Sequence, residues 1–349
     1  MDAKKTRPNL HSVAKHAGVS PATVSRVLNH TAPVRESVRA RVLSSMAALG
    51  YAPPPSRPTL SSLQNAIALL IPDILNPYFA ELVRGIQDEA TATEYMPVLL
   101  DSGEDPQREH QILRMLGAQS FCGIIICGSR LPSDEIIAIH SRQKTPMVVI
   151  NRSIRHANVA CLIVDVENAT YRVTRHLLSL NHTRIAFLSG PIKSEQSQLR
   201  RHGVEKALAE AGLSLRAELC PASFPNVDGG FQAMSALLAL PPTEQPTAII
   251  AYNDVMALGV LHAIRAHHLR VPEDISVVGF DDIAMAAHTN PPLTTVAQPK
   301  YRMGRMAMQT LRRMVEGFPP PEEGFTLMES PLIVRESTAI AASTNGVHS

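Results

Sequence analysis

The chain lacks the signatures of the common enzyme classes. Nowhere in its 349 residues is there a G-x-S-x-G, a G-x-x-x-x-G-K-S/T, an H-E-x-x-H or a G-x-G-x-x-G, which removes the nucleophile elbow, the P-loop, the zinc-protease helix and the dinucleotide turn. Cysteine is scarce and scattered: Cys122, Cys127, Cys161 and Cys220 form no C-x-x-C and no Cys/His pair at zinc spacing. Neither a metal site nor a cofactor is expected. Cys122 and Cys127 flank the apolar run GIII and read as reduced thiols in or near a buried strand. No apolar run reaches the ~18 residues of a membrane helix, and the start, MDAKKTRPNLH, has charge but no apolar stretch for a signal peptide. A cytosolic chain with no membrane partner is the expectation. No leucine heptad follows Pro331, and 341–349 reads as a disordered tail, so a C-terminal coiled coil is not expected.

Net charge is small overall but uneven. The whole chain carries +2, whereas residues 1–58 hold nine Lys/Arg against two acids, +7, which leaves about −5 for the remainder. Positive charge is gathered at one end, as a surface that meets phosphates requires. That end also contains three short amphipathic stretches between Leu10 and Tyr51. Val13, Ala14 and Ala17 form one apolar stripe, Val24, Val27 and Leu28 a second, and Val38, Val42, Met46 and Leu49 a third. Gly18 supplies the positive φ that stops the first helix, Ser20 stands at the N-cap of the second, and Pro21 occupies its first position. A glycine-containing turn between short helices is the helix-turn-helix signature. Any small basic three-helix bundle shows similar stripes; the concentration of charge favours DNA over a merely solvated face.

Ala17 to Asn29, AGVSPATVSRVLN, resembles the LacI/GalR (lac repressor and galactose repressor) family of transcription regulators almost residue for residue. The resemblance implies that the second helix enters the major groove, with Ser20, Pro21, Ala22, Thr23, Ser25, Arg26 and Asn29 at the DNA. Arg26 suits a two-bond contact to guanine, Pro21 and Ala22 an apolar contact to a thymine methyl, and Thr23 and Ser25 the phosphates. After the head at 1–51, residues 52–65 read as a linker. Prolines at 53, 54, 55 and 58 favour an extended course. In similar repressors this segment forms a hinge helix whose leucine wedges into the minor groove. Leu60 takes that place here, although Pro58 lies two residues before it and the spacing to the body is about one residue short.

From 66 to 340, short apolar runs alternate with helix-length segments. The runs are AIALLI (66–71), PVLL (97–100), GIIIC (123–127), PMVVI (146–150), CLIV (161–164), RIAFLS (184–189), TAIIAY (247–252) and ISVVGF (275–280). Continuous Val/Ile/Leu runs of this kind mean parallel strands covered on both faces. The expected fold is an all-α helix-turn-helix head joined to an α/β body with two parallel, doubly wound sheets.

Ligands of such sheets bind beyond the carboxyl ends of the strands. There the sequence places Asn76, Tyr78, Phe79, Asn151, Arg200, Asn253 and Asp281, a mixture of amides, carboxylate, arginine and rings that suits a sugar's hydroxyls and faces. The PD-x-x-NP-aromatic-F run at 72–79, SGP at 189–191 with Arg200, ND-x-MALG at 253–259, GFDD at 279–282, PPLTT-x-x-Q at 291–298 and PLIVREST at 331–338 resemble, in order, the periplasmic-binding-protein-like core of the same family. This resemblance implies that Arg200, Asn253, Asp281 and Gln298 contact the effector, that Phe224 is an aromatic wall, and that Asn151 stands where aspartate is common. It implies a homodimer on a pseudo-palindromic operator, with a sugar-like effector changing DNA affinity. Two other readings remain: a glycosidase using Asp254, Asp281 and Asp282, and a transport receptor that only captures a solute.

Overall fold

The first helix, α1 (Leu10–Ala17), opens with a reciprocal cap between Asn9 and Ser12 at 2.9 and 2.8 Å and closes at Gly18, φ 64°. Without that left-handed residue the chain could not turn within three residues into α2 (Pro21–Asn29). Ser20 Oγ accepts from Thr23 N at 3.2 Å and so caps α2. The third helix, α3 (Glu36–Leu49), ends at Gly50, also left-handed. Val13, Ala14, Ala17, Val24, Val27 and Val42 bury together, with Leu28, Met46 and Leu49 packed around them. Val38, expected in that stripe, is only half-buried.

The structure, a computed structural model, describes residues 9–29, 34–51, 65–116, 121–143, 145–191, 194–321 and 324–342. The chain divides into two units, 1–62 and 63–349. Leu60, nearly all of the linker and residues 343–349 of the tail lie outside the described residues.

In the second unit all eight apolar runs form strands, alternating with helices: β1 (Ala66–Ile71), α4 (Pro77–Thr91), β2 (Met96–Asp101), α5 (Pro106–Leu116), β3 (Gly123–Cys127), α6 (Ser133–Gln143), β4 (Met147–Ile150), β5 (Val159–Val164), α7 (Val166–Ser179), β6 (Ile185–Leu188), α8 (Glu195–Glu210), α9 (Val227–Leu238), β7 (Ala248–Ala251), α10 (Asp254–Ala266) and β8 (Ser276–Val278). The chain continues through β9 (Thr295–Val296), α11 (Lys300–Val315), β10 (Phe325–Met328) and β11 (Leu332–Ile333). One lobe is a six-stranded parallel sheet, order β10-β5-β4-β3-β1-β2. Its inner strands β1, β3 and β4 are buried at every residue, whereas the edge strand β2 is half-exposed. The other lobe holds the parallel sheet β6-β7-β8 beside an antiparallel pair, β9 and β11. The eight runs thus divide five and three between the two parallel sheets, and the chain then returns to the first lobe to add β10 as a sixth strand.

Three segments cross between the lobes: Val164–Val166, Val296–Lys300 and Met328–Leu332. They lie side by side, Met328 registered on Val164 and Ala297 N donating to the Pro331 carbonyl at 2.8 Å. Three parallel straps permit bending while resisting separation. On return to the first lobe, α11 packs along α4, where Gly85 and Gly304 let the two backbones touch: a Cβ on Gly85 would stand 2.2 Å from Tyr301 O, and one on Gly304 2.1 Å from Leu82 O. Among the described residues no helix is long and apolar enough to cross a membrane.

Candidate functional site

On α2, Val24 and Val27 are buried in the head's core. That anchorage turns the opposite face outward: Ala22 and Arg26, one turn apart, are exposed, as is Ser20, while Pro21, Thr23 and Ser25 are partly covered. Ser20 has a structural task as the cap. Asn29 closes the helix, and its side chain lies outside the described part.

The second unit has a cavity at the strand ends. From the first lobe, Asn76, Tyr78 and Phe79 enter it after β1, Glu104 after β2, Gly128 and Arg130 after β3, and Asn151 after β4. From the second lobe come Gln196 and Arg200 on α8, Pro225 just before α9, Tyr252 and Asn253 after β7, and Asp281 after β8, with Gln298 on a crossing segment. Eight of the nine residues expected at an effector therefore share one cavity. Phe224 does not: it is 71% exposed, and Pro225 forms the wall because its carbonyl is held by Asn253 Nδ2 at 3.1 Å. Glu104, Arg130, Gln196 and Tyr252 were not singled out from sequence. The strand-end rule would have found Glu104, Arg130 and Tyr252; Gln196 has no local signal.

Arg200 lies between two rings, its guanidinium carbon 4.3 Å from the Tyr252 centroid and 4.0 Å from that of Phe280. It donates to Tyr252 O at 2.9 Å and stands 3.9 Å from Asp281. Gln298 Nε2 donates to Asp281 at 2.6 Å. Tyr78 accepts from Asn151 Nδ2 at 2.8 Å and donates to Gln298 Oε1 at 3.5 Å. Asn76 and Asn253 also act as N-caps of α4 and α10. Across the lobes, Gln196 Nε2 donates to Asn151 O at 2.7 Å and Arg152 meets Glu195 at 3.0 Å. These contacts leave a cavity of about 40 Å³, well below the ~300 Å³ of a small ligand cleft. Entry of a ring-sized molecule requires the lobes or these side chains to part. Three buried atoms of lining residues have no partner: Asn151 Oδ1, Gln196 Oε1 and Arg200 Nε.

Three lining residues other than glycine hold positive φ: Glu104 at 60°, Asn151 at 60° and Asp281 at 118°. Such backbone is costly away from glycine and persists where its surroundings over-determine it, as at binding sites. Burial pushes the Asp281 carboxyl up to about 7 against the opposing pull of Arg200 and Gln298. Desolvation also raises the Tyr78 phenol, which therefore stays a donor.

Of the three acids in the glycosidase reading, only Asp281 lines the cavity. Asp254 faces inward, accepting from Ile283 N at 2.9 Å and Thr295 Oγ1 at 2.6 Å, and Asp282 pairs with Arg335 at 2.7 Å. Burial raises the Asp254 carboxyl from 3.8 to about 6. Its folded-state proton affinity exceeds the unfolded one, so its contribution to stability is full below pH ~4 and is lost as pH rises through 6. Asp254→Asn lacks that loss. Its stability relative to the parent should rise by on the order of 3 kcal/mol between pH 4 and 7, read from denaturant midpoints; a gap constant with pH would refute the assignment.

A reader helix on a three-helix head, followed by a two-lobed body with a polar cleft at its strand ends, defines a DNA-binding regulator with a ligand-binding domain. Comparison with known proteins agrees. Residues 9–54 match the family described as bacterial regulatory proteins, lacI family, and 174–338 match the periplasmic binding protein-like domain. The HTH-type transcriptional repressor CytR of Escherichia coli strain K12 is 34% identical over 341 residues, 97% of this chain and 99% of that protein. The structure of a transcriptional regulator CelR–cellobiose complex is similar with a TM-score of 0.69 and 30% identity, over 95% of this chain and all of that one. That of the lac repressor dimer bound to operator and the anti-inducer ONPF has a TM-score of 0.69 and 28% identity, over 96% of this chain and all of that one. The chain belongs to the LacI family of bacterial transcriptional regulators.

Proposed function

We propose that this regulator is a repressor that binds a pseudo-palindromic operator as a homodimer in the cytosol and responds to a polyhydroxylated effector, a sugar or sugar derivative. The division of labour follows the sequence: residues 1–51 read DNA, 52–65 form the linker, 66–340 sense the effector and dimerise, and 341–349 are a tail. The observation that carries the effector class is the trio of buried atoms without partners. Asn151 Oδ1 and Gln196 Oε1 require donors and Arg200 Nε requires an acceptor; hydroxyl groups supply both roles. The tyrosine and phenylalanine rings of the cavity supply apolar faces for a sugar ring. Similar proteins complexed with cellobiose and with operator DNA support the reading.

Closure of the lobes on the effector moves the three straps, and through them the linkers and the two heads. Such coupling is typically ~1–3 kcal/mol and reciprocal. The test is operator affinity at fixed salt with and without sugars that raise the melting temperature; a stabilising sugar that leaves DNA affinity unchanged refutes the coupling. At the DNA, Arg26→Ala should lose ~1–3 kcal/mol on the selected operator and relax preference at one base pair in each half-site. Gel shifts on an operator selected from random duplexes measure this. An equal loss on every sequence would assign Arg26 to phosphate instead.

A further inference from the structure

The cavity carries four charged residues, and they are matched. Arg130 holds Glu104 through both carboxylate oxygens, at 2.6 and 2.7 Å, with side chains 7% and 13% exposed. Arg200 faces Asp281. The neighbouring cations are matched as well: Arg152 meets Glu195 at 3.0 Å and Lys300 meets Glu81 at 3.6 Å.

The other feature that attracts anions, a helix N-terminus with free N–H groups, is partly taken up at this site by side-chain caps. Asn76 Oδ1 accepts from Tyr78 N on α4, Asn253 Oδ1 from Met256 N on α10, and Ser194 Oγ from Ser197 N on α8. Of the three unpartnered atoms, two are amide oxygens, which repel an anion; the third, Arg200 Nε, belongs to a guanidinium whose charge already faces Asp281. A phosphate or carboxylate here would find no unmatched cation and would stand against Glu104 or Asp281 in a desolvated site, where like charges repel strongly.

We infer that the effector is uncharged, a neutral polyhydroxylated ring such as a sugar or nucleoside, and that the Glu104–Arg130 pair is the specificity element that excludes its phosphorylated or carboxylated counterpart. The inference rests on the proposed effector site and narrows its ligand class.

Titration of the full-length protein at pH 8, where the Asp281 carboxyl is ionised, tests it with matched probes: D-ribose and D-ribose 5-phosphate, cellobiose and cellobionate, uridine and uridine 5′-monophosphate. The expected result is that at least one neutral member binds and its anionic partner binds a hundredfold or more weakly. Glu104→Gln keeps the shape and unpairs Arg130, and should narrow that ratio at least tenfold. An anionic member that binds the parent protein as tightly as its neutral partner overturns neutrality while leaving the effector site intact. An unchanged ratio in a folded Glu104→Gln variant removes Glu104 as the determinant. Failure of all six probes counts against the polyhydroxyl reading itself, and this inference falls with it. The comparison on the parent protein stands even where the variant does not fold.

Discussion

Arg200→Met should abolish the effector response while leaving the head able to bind DNA. Methionine retains apolar bulk between the Tyr252 and Phe280 rings but removes the donor to Tyr252 O, the unpartnered Nε and the charge opposite Asp281. Asp281 is 4% exposed, and a buried charge stripped of its partner costs about 3–5 kcal/mol. The carboxyl therefore takes up a proton, and Gln298 loses the ionised acceptor it now has at 2.6 Å. Ligand affinity should fall a hundredfold or more, measured by calorimetry with a neutral sugar that binds the parent. Operator affinity without effector should stay within a few-fold of the parent, and sugar should no longer alter it. A variant that still responds to that sugar would place the binding determinant elsewhere in the cavity.

Gly85→Ala should destabilise the body by about 3 kcal/mol or more, at or above the upper end for overpacking, without touching the cleft. The new methyl carbon would lie 2.2 Å from the Tyr301 carbonyl oxygen, and the obstacle is backbone on α11 rather than a side chain that could rotate away. Separation of α4 from α11 would loosen a contact built on Leu82, Ile86, Met303, Ala307 and Met308, all buried. Gly304→Ala meets Leu82 O from the other side and should cost a similar amount. The denaturant midpoint of the body's unfolding reads both. A loss below 1 kcal/mol would mean that the two helices slide apart freely and that their close approach contributes little.

Much of this architecture is written in local patterns. The three helices of the head follow from stripes at helical spacing and from Gly18, Ser20 and Pro21. The eight strands follow from Val/Ile/Leu runs, which are buried almost throughout except in the edge strand β2. Less legible were β9, β10 and β11, of two to four residues. A strand so short is defined by its neighbour, and β10 exists because β5 offers an unpaired edge. At the cleft, the strand-end rule located Asn151, Arg200 and Asp281 because each follows or accompanies an apolar run. Phe224 was carried by resemblance alone, and here the hydrogen bond to Pro225 sets the wall without it. Glu104 and Arg130 lie at strand ends of the same kind, but neither shows in sequence that the other is its partner.

What the sequence by itself determined is whatever depends on near neighbours along the chain: helix periods, caps, the glycine turn, buried strands and the concentration of positive charge in the head. Tertiary structure alone decided the order of strands in each sheet, the return of α11 and β10 to the first lobe, and the pairing of Glu104 with Arg130 and of Arg200 with Asp281. The physical reason is range. Periodicity and capping act within a few residues, whereas the charge balance of the cavity depends on side chains from distant segments meeting where water is excluded, and that meeting exists only once the chain has folded.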